Sequence, residues 1–321
     1  MTPDLSILIV TWNTKERIQE CLQSIFTCAP KIQFEIVVVD NASQDGTVDL
    51  ILAKFPSVSM IQNTENIGYG PAQNKAFHVS RGRYVLILNS DVVVTDGALE
   101  GLVRYMDSHP DIGLVGGRLQ NPDGTFQSSA NRRFPSPLDV FLEELFFSSS
   151  LKFLFLRTRF GATCSKLFWN LKEPQSVAWV GGACMLIRRS VMEHVGLFDG
   201  HFFFYYEDCD LCLRIRRAGW KVAYDPRQHF IHQWGSSSQK NVRKVSIEAR
   251  RSLLYYFLKH NGTFGFLAVK YALLVGLALR YLLLSLKAVL AGKERERSLL
   301  FREMLLLFHR MKDPSIGLPI E

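Results

Sequence analysis

The stretch YVLILNSDVVV, residues 84–94, decides how the rest of the chain is read. Strand-forming residues run into Asn89, Ser90 and Asp91, and the chain then turns apolar again. A carboxylate at the tip of a buried strand is costly unless something pairs with it. Asp91 therefore caps a turn or faces a positive charge, and the surrounding sequence favours the second.

Upstream, SILIV (6–10), EIVVVD (35–40) and VSMIQN (58–63) are further short apolar runs. Between them, Ile18, Cys21, Leu22, Ile25 and Phe26 recur at helical spacing behind Asn13 or Thr14 as N-cap. Helices are also expected over GTVDLILAKF, near 70–80, and over GALEGLVRYMDSH. Val/Ile/Leu strands alternating with amphipathic helices describe a parallel sheet covered on both faces. The first 110 residues thus form an α/β nucleotide-binding layer. The pattern then changes: IGLVGGRLQ (112–120) and SVAWVGGACMLIRR (176–189) are glycine-rich strands around a long irregular insert containing FLEELFFSSSLKFLFLRTRF (141–160). EDCDLCLRIRRAGW (207–220) is expected as a helix, KVAYDPRQHFIHQWGSSS (221–238) as a strand entering a polar loop, and the chain from 241 on as helical.

Open α/β sheets bind ligands beyond the carboxyl ends of their strands. Those ends carry Thr11 and Asn13 after the first strand, and Asp40, Asn41 and Ser43 after the second. Asn89, Ser90 and Asp91 follow the fourth. Parallel strands bring these tips to one edge, so two carboxylates, Asp40 and Asp91, arrive there from separate segments. Asp45, followed by Gly46, is read as a turn residue. No G-x-G-x-x-G follows the first strand and no G-x-x-x-x-G-K-[ST] occurs, which argues against a dinucleotide dehydrogenase and a P-loop enzyme. A nucleoside diphosphate could still be held through a hard cation, Mg²⁺ or Mn²⁺, on one or two carboxylates and its own phosphates.

The net charge of +8 is unevenly spread. Residues 240–313 hold 15 Lys and Arg against 5 Asp and Glu, whereas the preceding chain is close to neutral. A basic tail points to an anionic surface, and its apolar content favours lipid over nucleic acid. Six cysteines in a chain this long are no disulfide framework, and the lone CxxC of Cys209 and Cys212 is incidental. The N-terminal residues show no basic region or long apolar run, so cytosolic synthesis in a reducing environment is expected.

Six segments occur in order: SILIVTWNTKERIQECLQSI, VVVDNASQDGTVDLI, NIGYGPAQNKAF, YVLILNSDVVV, WVGGACMLIRRSVMEHVGLFDGHFFFYYEDCDLCLRIRRAG and HQWGSSS. Together they resemble family 2 glycosyltransferases of the GT-A fold, in particular bacterial rhamnosyltransferases, over roughly residues 4–260. The resemblance implies a Rossmann-like nucleotide-binding sheet, a mixed acceptor-side sheet and an inverting single displacement. It implies that Thr11, Asn13, Asp40, Asn41 and Ser43 line the base and ribose pocket. Asn66, Gly68 and Asn74 would flank the donor, and Gly181, Gly182 and Asp199 the acceptor. Asn89-Ser90-Asp91 takes the place of an Asp-x-Asp metal motif. Asn stands for the first Asp, leaving Asp91 as the strong ligand and His232 as its expected companion. Asp208, with Glu207 next, would be the general base that deprotonates the acceptor hydroxyl; Arg250 or Arg251 would face the leaving diphosphate. A dTDP-linked deoxysugar such as rhamnose is the implied donor.

FGFLAVKYALLVGLALRYLLLSLKAVLAG (264–292) has no charge-free run above nine residues, too short to span a bilayer. Lys270, Arg280 and Lys287 fall within about 100° on a helix, and a basic stripe on an apolar helix suits a membrane interface. SLLFREMLLLFHRM (298–311) repeats the design. The expected organisation is a catalytic domain over 1–260 and a membrane-associating segment over 261–321. The latter would lie on the cytoplasmic membrane face, where a glycan on a polyprenyl diphosphate is presented. The alternative for the tail is a helical hairpin packed on the catalytic domain or on a second subunit of a homo-oligomer. Rival functions are a sugar-nucleotide nucleotidyltransferase and a non-catalytic nucleotide-sugar-binding scaffold.

Overall fold

The computed structural model describes residues 3–28, 31–145, 172–233, 242–291 and 295–316. Cys164, most of the apolar insert, and residues 234–238 of the HQWGSSS segment lie outside the described residues. The chain divides into two compact units, one of Met1–Phe134 with Trp169–Asn241 and one of Pro135–Phe168 with Val242–Glu321. The expected boundary at 260/261 is therefore not where the compact units part. The helix that opens at Val242 belongs wholly to the second unit, which also recruits the helix ahead of the insert.

In the first unit β1 (Leu5–Thr11), α1 (Lys15–Cys28), β2 (Phe34–Asp40), α2 (Thr47–Lys54), β3 (Ser59–Gln62), α3 (Tyr69–Val79) and β4 (Tyr84–Asn89) alternate as expected. β5 (Val92–Val94), α4 (Ala98–Ser108), β6 (Ile112–Gln120), β7 (Phe126–Gln127) and β8 (Ala130–Asn131) complete its first half. Strands β3, β2, β1 and β4 pair in parallel in that spatial order. β1 is buried along all seven residues because both faces are covered. Leu5, Ile7 and Ile9 pack with Leu22 and Ile25 of α1 on one side. Leu8 and Val10 pack with Ala72 and Ala76 of α3 on the other.

After α5 (Pro137–Leu145), which belongs to the second unit, the first resumes with β9 (Gln175–Val177), β10 (Trp179–Val180) and β11 (Cys184–Arg188). α6 (Arg189–Val195), α7 (Glu207–Arg217) and β12 (Lys221–His232) close it. β11 inserts antiparallel between β4 and β6, and β12 runs parallel to β6 and antiparallel to β5. The sheet order is β3-β2-β1-β4-β11-β6-β12-β5, a parallel half continued by a mixed half. One consequence places the site: β12 carries His232 opposite Val92, next to Asp91.

The second unit comprises α5, α8 (Val242–Ala291, broken at Gly262) and α9 (Arg295–Arg310). Gly262, at φ 67° and ψ −167°, separates two helical segments. By length and composition Val242–Val289 is long and apolar enough to cross a membrane, and only 22% of its most apolar window is buried. Two members of the expected basic stripe are taken up inside this unit. Lys270 donates to the carbonyls of His309 and Met311 at 3.0 and 2.7 Å, capping α9, and Arg280 pairs with Glu144 of α5. Lys287 is exposed, and Phe264, Leu267, Tyr271, Val275, Leu282, Leu286 and Val289 are exposed along one apolar face.

Candidate active site

The carboxyl ends of β1, β2 and β4 are stitched together by short polar bonds. Asp40, 2% exposed at the end of β2, accepts the Ser43 N–H on Oδ2 at 2.8 Å. Its Oδ1 is buried without a partner. Ser43 Oγ accepts the Asn13 N–H at 2.8 Å, and Asn13 Oδ1 accepts the Gln44 N–H at 2.7 Å. Asn13 and Ala42 both hold positive φ, 53° and 64°, so these two turns are fixed by each other. Asn41 donates from its backbone to Thr11 O and from Nδ2 to Gly68 O. Thr11, Thr14 and Ser90 form a hydroxyl chain of 2.7 and 3.1 Å that ties β1 to the loop carrying Asp91.

The next layer comes from the segment before α7. Tyr205 and Tyr206 both lie at positive φ, 68° and 66°. That conformation costs about 1–3 kcal/mol per non-glycine residue and persists only where surroundings enforce it. Here the Phe203 carbonyl accepts the Tyr69 N–H at 3.0 Å, and a Cβ on Gly68 would meet that carbonyl at 2.9 Å. Gly68, with φ 91°, is thus required both by its conformation and by this close approach. Asn66 Oδ1 accepts its N–H at 3.0 Å. Asn74 clamps Phe198 with both halves of its amide, at 2.8 and 3.0 Å, and Asp199 accepts from His201 on Oδ1. These two side chains shape the loop. Arg214, paired with the buried Asp210 at 2.9 Å, holds the carbonyls of Val195, Gly196 and Leu197, so Asp210 is structural.

Glu207 and Asp208 open α7. Asp208 accepts the Gly182 N–H on Oδ2 at 2.8 Å and the Cys209 N–H on Oδ1 at 2.7 Å. Glu207 is 5% exposed with Oε2 buried and unpartnered. Burial, then the charge of Asp208, pushes the Glu207 carboxyl well above the ordinary range. Burial also raises Asp208, opposed by its N–H donors. Tyr69, overlooked in the sequence, connects this acidic pair to the Asn89–Asp91 segment. The Tyr69 hydroxyl lies 2.9 Å from Asn89 Oδ1 and 3.1 Å from Gly182 O, and burial and the Glu207 charge keep it protonated. Gln73, one turn further along α3, is buried beside the Tyr69 hydroxyl.

Asp91 and His232 do meet: Nε2 is 3.2 Å from Oδ1, and both residues are buried. Gln127 sets the ring's tautomer. Its Nε2 donates to the His232 carbonyl at 2.7 Å and to Asn121 Oδ1, so Oε1 must be the atom 2.9 Å from His232 Nδ1. Nδ1 therefore donates, and in the neutral ring Nε2 turns a lone pair toward a carboxylate. Two acceptors at that distance call for a cation between them or a proton on the ring. Among the described residues no three His, Cys, Asp or Glu side chains converge as a metal site.

Arg250 and Arg251 make their described bonds within the helical unit. Both belong to the second unit, where Arg251 pairs with Glu248 at 2.7 Å and donates to Pro314 O, and Arg250 bonds the Ser246 carbonyl. Cys209 and Cys212 are buried thiols of α7 that form no disulfide.

The profile described as "Glycosyltransferase like family 2" matches residues 3–250. The chain is 27% identical over 284 residues to the N-acetylglucosaminyl-diphospho-decaprenol L-rhamnosyltransferase of Mycobacterium tuberculosis H37Rv, covering 82% of this chain and 87% of the relative. It is 24% identical to the rhamnosyltransferase WbbL of Escherichia coli K12, over 70% and 82% of the two chains. In fold it is similar to a mannosyltransferase from Pyrobaculum calidifontis solved with GDP-Man and Mn²⁺, with a TM-score of 0.54 at 19% identity. That match covers 96% of this chain and 86% of the other.

Proposed function

The chain belongs to the family 2 glycosyltransferases, and from that premise we propose that it moves a sugar, rhamnose from a dTDP-linked donor, onto a glycan carried by a polyprenyl diphosphate, by one inverting displacement. Family membership already makes it a transferase, in place of the nucleotidyltransferase and the scaffold. The substrate classes are supported by the name of the mycobacterial relative, which pairs a rhamnosyl group with a diphospho-decaprenol acceptor.

The observation that carries the reading is the buried, unpartnered Oδ1 of Asp40 on the sheet edge that also holds the Asp91–His232 pair. A buried acceptor of this kind calls for a donor, and the imide N3–H of a pyrimidine is one. Asp91 Oδ1 and His232 Nε2 suit a divalent cation whose remaining positions go to phosphate oxygens and water. Such a cation, Mg²⁺ or Mn²⁺, would stabilise charge on the leaving diphosphate. Asp208 would take the proton from the acceptor hydroxyl, with its orientation set by the Gly182 and Cys209 N–H groups.

Calorimetric titration of UDP, dTDP and GDP with and without Mn²⁺ tests the donor half. One pyrimidine diphosphate is expected to bind tightly only with metal, and Asp91→Asn is expected to abolish that dependence. Gln127→Leu, which frees the ring of His232, is expected to weaken Mn²⁺ by about 10–100-fold. Binding indifferent to metal and to Asp91 would make residues 89–91 a structural turn.

The second unit would attach to a membrane through the apolar face from Phe264 to Val289, lying in the interface. Flotation with liposomes is expected for the full chain and is expected to be lost on replacing Leu282, Leu286 and Val289 together by Ser. Unchanged flotation of that variant would reject this surface.

A further inference from the structure

Behind the acceptor-side glycines lies a cationic group, Arg118, that the displacement chemistry does not use. Arg118, near the end of β6, is half-buried, and its Nε is sealed from water without an acceptor. No carboxylate pairs with it among the described residues; its guanidinium carbon stands 5.6 Å over the Phe126 ring. Tyr224 of β12 is fully buried, and its hydroxyl, with the Ser129 side chain as neighbour, makes no hydrogen bond of good geometry. The two are neighbours on one face of the sheet. Tyr224 is registered against Gly116, two residues before Arg118, and the Arg118 charge bears on its hydroxyl. A half-buried guanidinium whose own Nε lacks an acceptor, beside a buried tyrosyl hydroxyl, is an anion site in want of an anion.

Its position says which anion. Gly181 donates to the Ser129 carbonyl at 2.8 Å beside this pair, and Gly182, the next residue, donates to Asp208 Oδ2 at 2.8 Å. The pair thus sits one short backbone step from the proposed base, on β6 and β12 and away from the β1–β2 tips proposed to hold the nucleotide. We propose that Arg118, with the Tyr224 hydroxyl, binds the diphosphate of the lipid-linked acceptor and so fixes which hydroxyl of its glycan reaches Asp208. This rests on the reading of a diphosphate-linked acceptor. A planar guanidinium suits it because two N–H groups can meet two phosphate oxygens at once.

The test is calorimetry on the full chain in the presence of a metal chelator, with inorganic pyrophosphate and farnesyl diphosphate as probes. Wild type is expected to bind both. Arg118→Gln is expected to lose about tenfold or more, with Arg118→Lys and Tyr224→Phe intermediate, as befits a charge-assisted bidentate contact. Equal binding by wild type and Arg118→Gln, or none by wild type, overturns the proposal. So does binding of pyrophosphate without farnesyl diphosphate, which would mark a site for free phosphate. Nucleoside diphosphate binding with Mn²⁺ is measured in parallel and is expected to be unchanged in Arg118→Gln. Its absence from wild type would count against the transferase reading, while the pyrophosphate arms still decide the Arg118 site.

Discussion

Asp208→Asn is expected to lower kcat by about 10²–10⁴-fold while leaving nucleoside diphosphate binding intact, the loss associated with a missing general base. Asparagine keeps one acceptor oxygen, so one of the two N–H donors from Gly182 and Cys209 stays satisfied and the loop keeps its anchor. Glu207→Gln is expected to cost less, because Glu207 is the more buried of the two and its own carboxyl is raised by burial and by the charge of Asp208. Burial raises both carboxyls, so the acid limb of kcat/KM should lie above the ordinary carboxylate range and flatten in Asp208→Asn. Wild-type turnover in Asp208→Asn together with an inactive Glu207→Gln would transfer the role to Glu207. The same shift has a stability signature. A carboxyl whose folded pKa is raised contributes stability that is fully present below its unfolded pKa and is lost as pH rises through the folded one. Glu207→Gln should therefore gain Tm relative to wild type progressively as pH climbs from the ordinary glutamate range, and not below it.

The second large effect lies in the helical unit. Arg251 is 3% exposed and Glu248 5%, and they meet at 2.7 Å, with the other arm of the guanidinium on the Pro314 carbonyl at 2.9 Å. Arg251→Ala strands a buried carboxylate and a carbonyl, a loss of about 3–5 kcal/mol. Denaturant unfolding should show it directly. Replacing both partners by Met and Leu of similar bulk should restore most of the loss, since a buried ion pair is often no better than apolar packing. A stable but inactive Arg251→Ala would return this arginine to the donor phosphates.

What the sequence shows and what it hides follow from the forces at each position. Strands β1 to β4 are legible because a strand covered on both faces must be apolar at every residue, as the buried course of Leu5–Thr11 is. β7, β8 and β10 have two residues each and can carry no period. β5 is three valines that read as a continuation of β4, although they cross to pair antiparallel with β12. The carboxylates at strand ends are visible because their tips share an edge by topology alone. Tyr69 and Gln127 are not, since each matters through a long-range partner: Gly182 for one, the His232 ring for the other. A helical wheel places Lys270 and Arg280 on one side of α8 but says nothing of what waits there. Carbonyls of α9 and a carboxylate of α5 consume both charges, and the opposite face is left apolar. The buried partner of Arg251 is hidden for a related reason, since an arginine on an amphipathic run looks alike whether it meets phosphate or a buried glutamate.

The pairing of β5 with β12 also has a temporal meaning. Asp91 is translated early, His232 near the end of the catalytic unit, and the two become neighbours only when the last strand docks against one of the shortest. Contacts so distant along the chain form late, because the intervening loop must close before they return any stabilisation. A ribosome-bound chain therefore carries Asp40 and Asp91 through most of its synthesis without the companion ring. The Asp91–His232 pair is completed only once the final strand of the sheet is in place, which makes it a built-in report that the whole catalytic unit has folded.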